Sequence, residues 1–144
     1  MSLPDARQYR ILALVDDSEV QMLLRSVLFH SQWDVDFVPS LAAALEQLPS
    51  TDAAVLICHQ QSVDDERWRR IARSLPLVPR PPFLVVTSRT ADDGLWQDVL
   101  TGGGYDVLAI PFETRDLFRV LSIAGSYWRA RRAPSVATHE HAVA

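Results

Sequence analysis

Residues 54–61 read AVLICHQQ, and this stretch decides the fold. Ala54 to Cys58 are apolar without a break, in a run too short for a typical helix. Such a run fits a strand buried on both faces, the pattern of a parallel sheet covered by helices on either side. The run stops at His59, followed by Gln60 and Gln61. A histidine therefore stands where the strand leaves the sheet. In open parallel sheets that carboxyl end is where ligands and chemistry gather.

The same rhythm continues in both directions. Upstream, Ile11–Val15 (ILALV) is another fully apolar run, and Val20, Leu23, Leu24, Val27 and Leu28 follow at helical spacing. In DVDFV (34–38) the acids alternate with Val35 and Phe37, which predicts a strand with one wet face near a sheet edge. Leu41, Leu45 and Leu48 mark a short helix. Downstream, Trp68, Ile71, Ala72 and Leu75 predict a third helix, closed by the proline-rich LPLVPRPP (75–82). FLVV (83–86) is the fourth strand, and Leu95, Trp96, Val99 and Leu100 mark the fourth helix. Gly102–Gly104 stop that helix. YDVLAI (105–110) is the fifth strand, and Leu117, Val120, Leu121, Ala124 and Trp128 are the inner face of the last helix. Five strands alternating with five helices specify an α/β domain with a mostly parallel sheet and right-handed crossovers. The domain is expected over residues 10–132, after an N-terminal extension (1–9) and before a flexible tail (133–144).

Composition narrows the function classes. At 144 residues the chain is long enough for one domain with a proper core. A net charge of −4 supplies no basic field for nucleic acid. All basic residues are arginine, so chemistry that needs a lysine has no side chain to use. The single cysteine, Cys58, excludes an internal disulfide and is expected to be an inert core thiol. The first residues hold no apolar signal core, and no stretch reaches membrane-span length, so a cytoplasmic setting is expected.

The strand-end rule singles out Asp16 and Asp17, the loop after Cys58, Thr87, and Ile110–Pro111. Paired carboxylates favour a hard divalent cation such as Mg²⁺, whereas DDSE before a helical stretch equally suits an N-terminal cap. Taken with LVDDSE (14–19), VVTSR (85–89) and GGGYDVLAIPF (102–112), in that order and spacing, the chain resembles the receiver domain of bacterial two-component response regulators from about Arg10 to Arg132. The resemblance implies a flavodoxin-like doubly wound (βα)5 sandwich with strand order 2-1-3-4-5. It implies that Asp16 and Asp17 are a weak, degenerate Mg²⁺ site, that Thr87 is the hydroxyl which bonds phosphoryl oxygens, and that Pro111 follows a cis peptide. It also exposes departures. The aspartyl acceptor position holds His59, the lysine position holds Ile110, and the switch aromatic's place falls at Val107. Phosphoryl transfer needs a carboxylate nucleophile, a metal ion and a cation for the developing charge. Two of these parts are missing, so the expectation is a degenerate receiver, with no enzymatic role and no further cofactor.

Several readings stay open at this point. Asp64 or Asp65 can replace the missing acceptor, although DDE ahead of Trp68 also suits a helix start. His59 can join Asp16 and Asp17 as a metal ligand or pH sensor. It can equally be a polar residue closing a strand, ion-paired to an aspartate with its pKa raised. A small-ligand binder ranks last, because no glycine-rich loop follows the first strand. The resemblance implies output by contact with a signalling protein, a histidine kinase or downstream effector, across the fourth helix, fifth strand and fifth helix. Trp96, Tyr105, Arg115 and Arg119 are the candidate contact residues, and the same face is a candidate homodimer surface. The arginines closing SYWRARR (126–132) fit a helix C-terminus better than a nucleic-acid patch.

Overall fold

A computed structural model describes residues 9–132. The strands are β1 (Tyr9–Leu14), β2 (Trp33–Phe37), β3 (Val55–His59), β4 (Phe83–Ser88) and β5 (Asp106–Ala109). The helices are α1 (Ser18–Leu28), α2 (Leu41–Gln47), α3 (Asp65–Ser74), α4 (Asp93–Thr101) and α5 (Thr114–Arg132). All strand pairs are parallel, and the sheet order is β2-β1-β3-β4-β5. The expected doubly wound architecture is therefore present. One boundary shifts: Tyr9, assigned to the extension, belongs to β1, where it stacks on Trp33 at 4.7 Å. The rest of the extension and the tail lie outside the described residues.

Alternation of side chains divides the inner strands between two cores. Ile11, Ala13, Val55 and Ile57 face α1 and α5, meeting Leu24, Leu28, Leu117 and Leu121. Leu12, Leu14, Leu56 and Cys58 face α2, α3 and α4, meeting Ala44, Trp68, Ile71 and Val99. β3 is buried at every residue, which is why its sequence is apolar on both faces. At the edge, β2 leaves Asp36 exposed to pair with Arg10. The wet face read from DVDFV is this side of the sheet.

Helix starts follow the acids and serines in the sequence. Asp17, Ser40, Asp64 and Asp92 cap α1, α2, α3 and α4, each accepting from backbone N–H groups one turn in. α4 ends at Gly102, and Gly103 adopts φ +102°, a left-handed conformation that glycine takes without steric cost. The helix faces are less uniform than their spacing predicted: Leu95 and Val99 are buried, but Trp96 and Leu100 are exposed. At the end of α5, Trp128 is buried, Arg129 lies over Tyr9, and Arg131 lies over Phe83 while donating to the carbonyl of Pro81. These two arginines pack on the fold's own aromatics. Among the described residues no helix is long and apolar enough to cross a membrane.

Candidate functional site

Parallel register brings the polar residues to one edge of the sheet. His59 pairs with Thr87 across β3 and β4, and Ser88 pairs with Ala109 across β4 and β5. Asp16 and Asp17 follow the end of β1, on the other side of β3. The sequence candidates thus gather at the carboxyl end of β1, β3 and β4.

His59 is fully buried. Its Nδ1 lies 2.9 Å from the Thr87 hydroxyl, and its Nε2 has no hydrogen-bond partner. Nε2 sits 3.9 Å from Oδ2 of Asp17, too far for a hydrogen bond. Burial pushes the imidazole pKa below its ordinary value. The carboxylate of Asp17 opposes that shift, Arg89 adds to it, and the Thr87 backbone opposes it. The expected raised pKa is therefore corrected: loss of hydration outweighs the aspartate. The ring is neutral at physiological pH.

Asp17 is already engaged on both oxygens. Oδ1 accepts from the N–H groups of Glu19 (2.9 Å) and Val20 (3.2 Å), capping α1. Oδ2 accepts from Nε and Nη2 of Arg89 at 3.3 and 3.0 Å. Arg89 also donates to Glu19 Oε1 at 3.0 Å. The guanidinium and the capping amides hold the Asp17 carboxyl below its usual range. The donor set fits Mg²⁺ poorly. A hard divalent ion needs several free oxygens, while here one carboxylate is spent, and the residue across from it offers an imidazole nitrogen. Among the described residues no three His, Cys, Asp or Glu side chains are grouped to hold a metal.

The residue that follows β5 is apolar. Ile110 is buried in the core beside α5, its amide donating to the Ser88 carbonyl at 2.8 Å, and the Ile110–Pro111 bond is cis as the resemblance implied. Neither substitute acceptor is free. Asp64 caps α3, and Asp65 accepts from Gln60 at 2.8 Å and from the Trp68 indole at 3.0 Å, which lowers its pKa. Cys58 is buried, and desolvation pushes its thiol up to about 12, so the inert reading holds.

A second polar layer went unread in the sequence. Ser88 donates to Gln60 Oε1 at 2.6 Å, and Gln61 Nε2 donates to the Ser88 and Thr90 hydroxyls at 3.2 Å each. The Arg89 N–H donates to Gln61 Oε1 at 3.0 Å, and the Gln60 N–H to the Thr87 carbonyl at 2.7 Å. Ser62 accepts from the Asp16 N–H at 2.7 Å. The β3–α3 loop is thus tied to both the β1–α1 and β4–α4 loops. HQQS directly after a strand was the available signal.

On the α4–β5 side, Trp96 is 47% exposed and its indole donates to Asp106 at 3.3 Å. It borders a shallow cleft of about 470 Å³ with Val107 and Ala109. Tyr105 packs on Phe83 at 5.1 Å. Arg115 pairs with Glu113 at 3.1 Å and Arg119 with Asp116 at 3.5 Å, both within the chain.

Comparison with solved structures identifies the architecture. The signal receiver domain of a LuxO repressor protein from Vibrio parahaemolyticus superposes with TM-score 0.73 at 14% identity, covering 85% of this chain and 94% of that one. The receiver domain of an HD domain-containing protein from Pseudomonas fluorescens gives 0.72 at 19% identity, covering 90% and 95%. This is the receiver-domain fold. A CheY-like receiver domain protein from Methanospirillum hungatei gives 0.71 at 15% identity, covering 85% and 98%. No family model and no curated protein matches the chain. Within this fold His59, Arg89 and Ile110 stand at the carboxyl ends of β3, β4 and β5.

Proposed function

We propose that this chain is a receiver-like signalling domain of a two-component system that acts through protein contact, without aspartyl phosphorylation and without enzymatic activity of its own. The observation that carries this reading is His59, fully buried against Thr87 at the acceptor position. A neutral imidazole with an unpartnered nitrogen is not a carboxylate nucleophile, and buried Ile110 supplies no positive charge for a phosphoryl group. The partner is a signalling protein, a histidine kinase or effector, and the reading places both in the cytoplasm. The α4–β5–α5 face is the contact surface, because Trp96, Leu100, Ile123 and Tyr127 are all large and exposed there.

The test is an amide NMR spectrum with Mg²⁺ before and after beryllofluoride, a phosphoryl mimic, paired with intact mass after treatment with acetyl phosphate. The expected result is an unchanged spectrum and an unmodified mass. Shifts spreading from Asp17 and Thr87 to β5, or a phosphorylated species, would overturn the reading, including through Asp64 or Asp65.

A further inference from the structure

We propose that Arg89 is a resident cation: its guanidinium holds the position at Asp17 that a divalent metal would need, so the acidic pair is closed to metal ions. The inference rests on the non-phosphorylated reading above and explains how the site stays stable without a metal. Two adjacent carboxylates at a strand end repel each other unless a cation lies between or beside them. Arg89 is the residue after β4, and two of its nitrogens converge on one oxygen, Asp17 Oδ2, at 3.0 and 3.3 Å. Nη2 reaches Glu19 as well, at 3.0 Å. The other oxygen, Oδ1, is held by the first-turn amides of α1. A metal ion would have to displace both the fork and the cap to gain a bidentate ligand.

Two further observations support the assignment. The Arg89 backbone is itself fixed, its N–H bonded to Gln61 and the neighbouring Ser88 and Thr90 hydroxyls bridged by the same glutamine. The guanidinium therefore starts from a held loop rather than a free one. The buried and unpartnered Nε2 of His59 also lies 3.9 Å from the same Asp17 oxygen. A neutral ring next to a carboxylate leaves the negative charge to be balanced by Arg89.

Mn²⁺, a paramagnetic divalent probe, tests this on the full chain with no phosphodonor present. The wild-type protein is expected to show no selective broadening of the Asp16, Asp17 and Glu19 amide signals. Arg89→Ala is expected to show that broadening, with apparent Mn²⁺ affinity raised about tenfold or more, the equivalent of about 1.4 kcal/mol. Arg89→Gln, which keeps a hydrogen-bonding side chain but loses the charge and the fork, is expected to behave like Arg89→Ala. Equal broadening in wild type and variants, or none in either variant, would overturn the proposal. Its failure is separable from that of the functional reading. Wild-type Mn²⁺ binding at Asp17 without a beryllofluoride response rejects Arg89 alone, and a beryllofluoride response rejects the functional reading.

Discussion

His59 is a base that burial keeps neutral. Its folded pKa lies below its ordinary value of 6.5, so between those two values the unfolded chain binds the proton that the folded chain refuses. Stability is then complete above about pH 6.5 and falls as pH drops from there through the folded pKa. Urea denaturation across that window should show the decline, and His59→Gln should flatten it. The NMR titration midpoint of the His59 ring should lie below the ordinary imidazole value of 6.5. Removing the ring altogether should be worse: His59→Ala leaves a void and strands the Thr87 hydroxyl, for a loss of about 2 kcal/mol in denaturant melts. That a polar residue closes β3 was legible, because it breaks an apolar run. The direction of its pKa was not, because that depends on burial exceeding the pull of Asp17, and proximity to an acid alone argues the opposite. Arg89 was missed for a different reason. Its partners Asp17 and Glu19 lie 72 and 70 residues away in sequence, and only the register of the parallel sheet brings them together.

At the scale of elements, the loops at the carboxyl edge are cross-braced. Gln60 and Gln61 span from β3 to the β4–α4 loop, which leads within three residues of Arg89 to Asp92, the cap of α4. Gln61→Ala should remove the acceptor of the Arg89 N–H and the bridge to Ser88 and Thr90. Hydrogen exchange at Arg89 and Thr90 should accelerate severalfold, with the β3 amides unchanged. Exchange as slow as in wild type would show that the Gln61 side chain does not hold the loop. The other end of α4 depends on close packing. A Cβ at Gly104 would lie 2.4 Å from Cγ1 and 3.0 Å from the carbonyl oxygen of Val99. Since Val99 is buried, Gly104→Ala should cost about 1–3 kcal/mol and lower the melting temperature accordingly. The helix stop at Gly102–Gly104 was legible from composition. The inward face of α4 was legible only in part: Leu95 and Val99 reach the core, while Trp96 and Leu100, at the same spacing, fall on the margin that the sheet leaves uncovered.

For the whole molecule, strand order and layering were readable because the inner strands alternate between two cores and every connection is a helix, which leaves few topologies open. What the molecule binds was not, because an exposed side chain in a partner interface and one in water look the same in a sequence. The α4–β5–α5 face supplies the physical argument. Trp96 stands beside a shallow cleft bordered by Val107 and Ala109. A tryptophan at the centre of such a surface can carry most of the contact energy, whereas exposed ion pairs contribute about 0–1 kcal/mol. We therefore expect self-association through this face to respond unequally to substitution. In sedimentation velocity, Trp96→Ala should weaken any dimer built on this face at least about tenfold, the equivalent of about 1.4 kcal/mol. Arg115→Glu should change it by less than about fivefold, because Arg115 is already paired with Glu113 in its own chain. Arg115→Glu should not move the melting temperature by more than a degree or two, since Arg115 is almost fully exposed. A sedimentation profile unaffected by Trp96→Ala would remove this face as the dimer contact, and a stronger effect of Arg115→Glu would make charge pairing across subunits, rather than apolar burial, the basis of association.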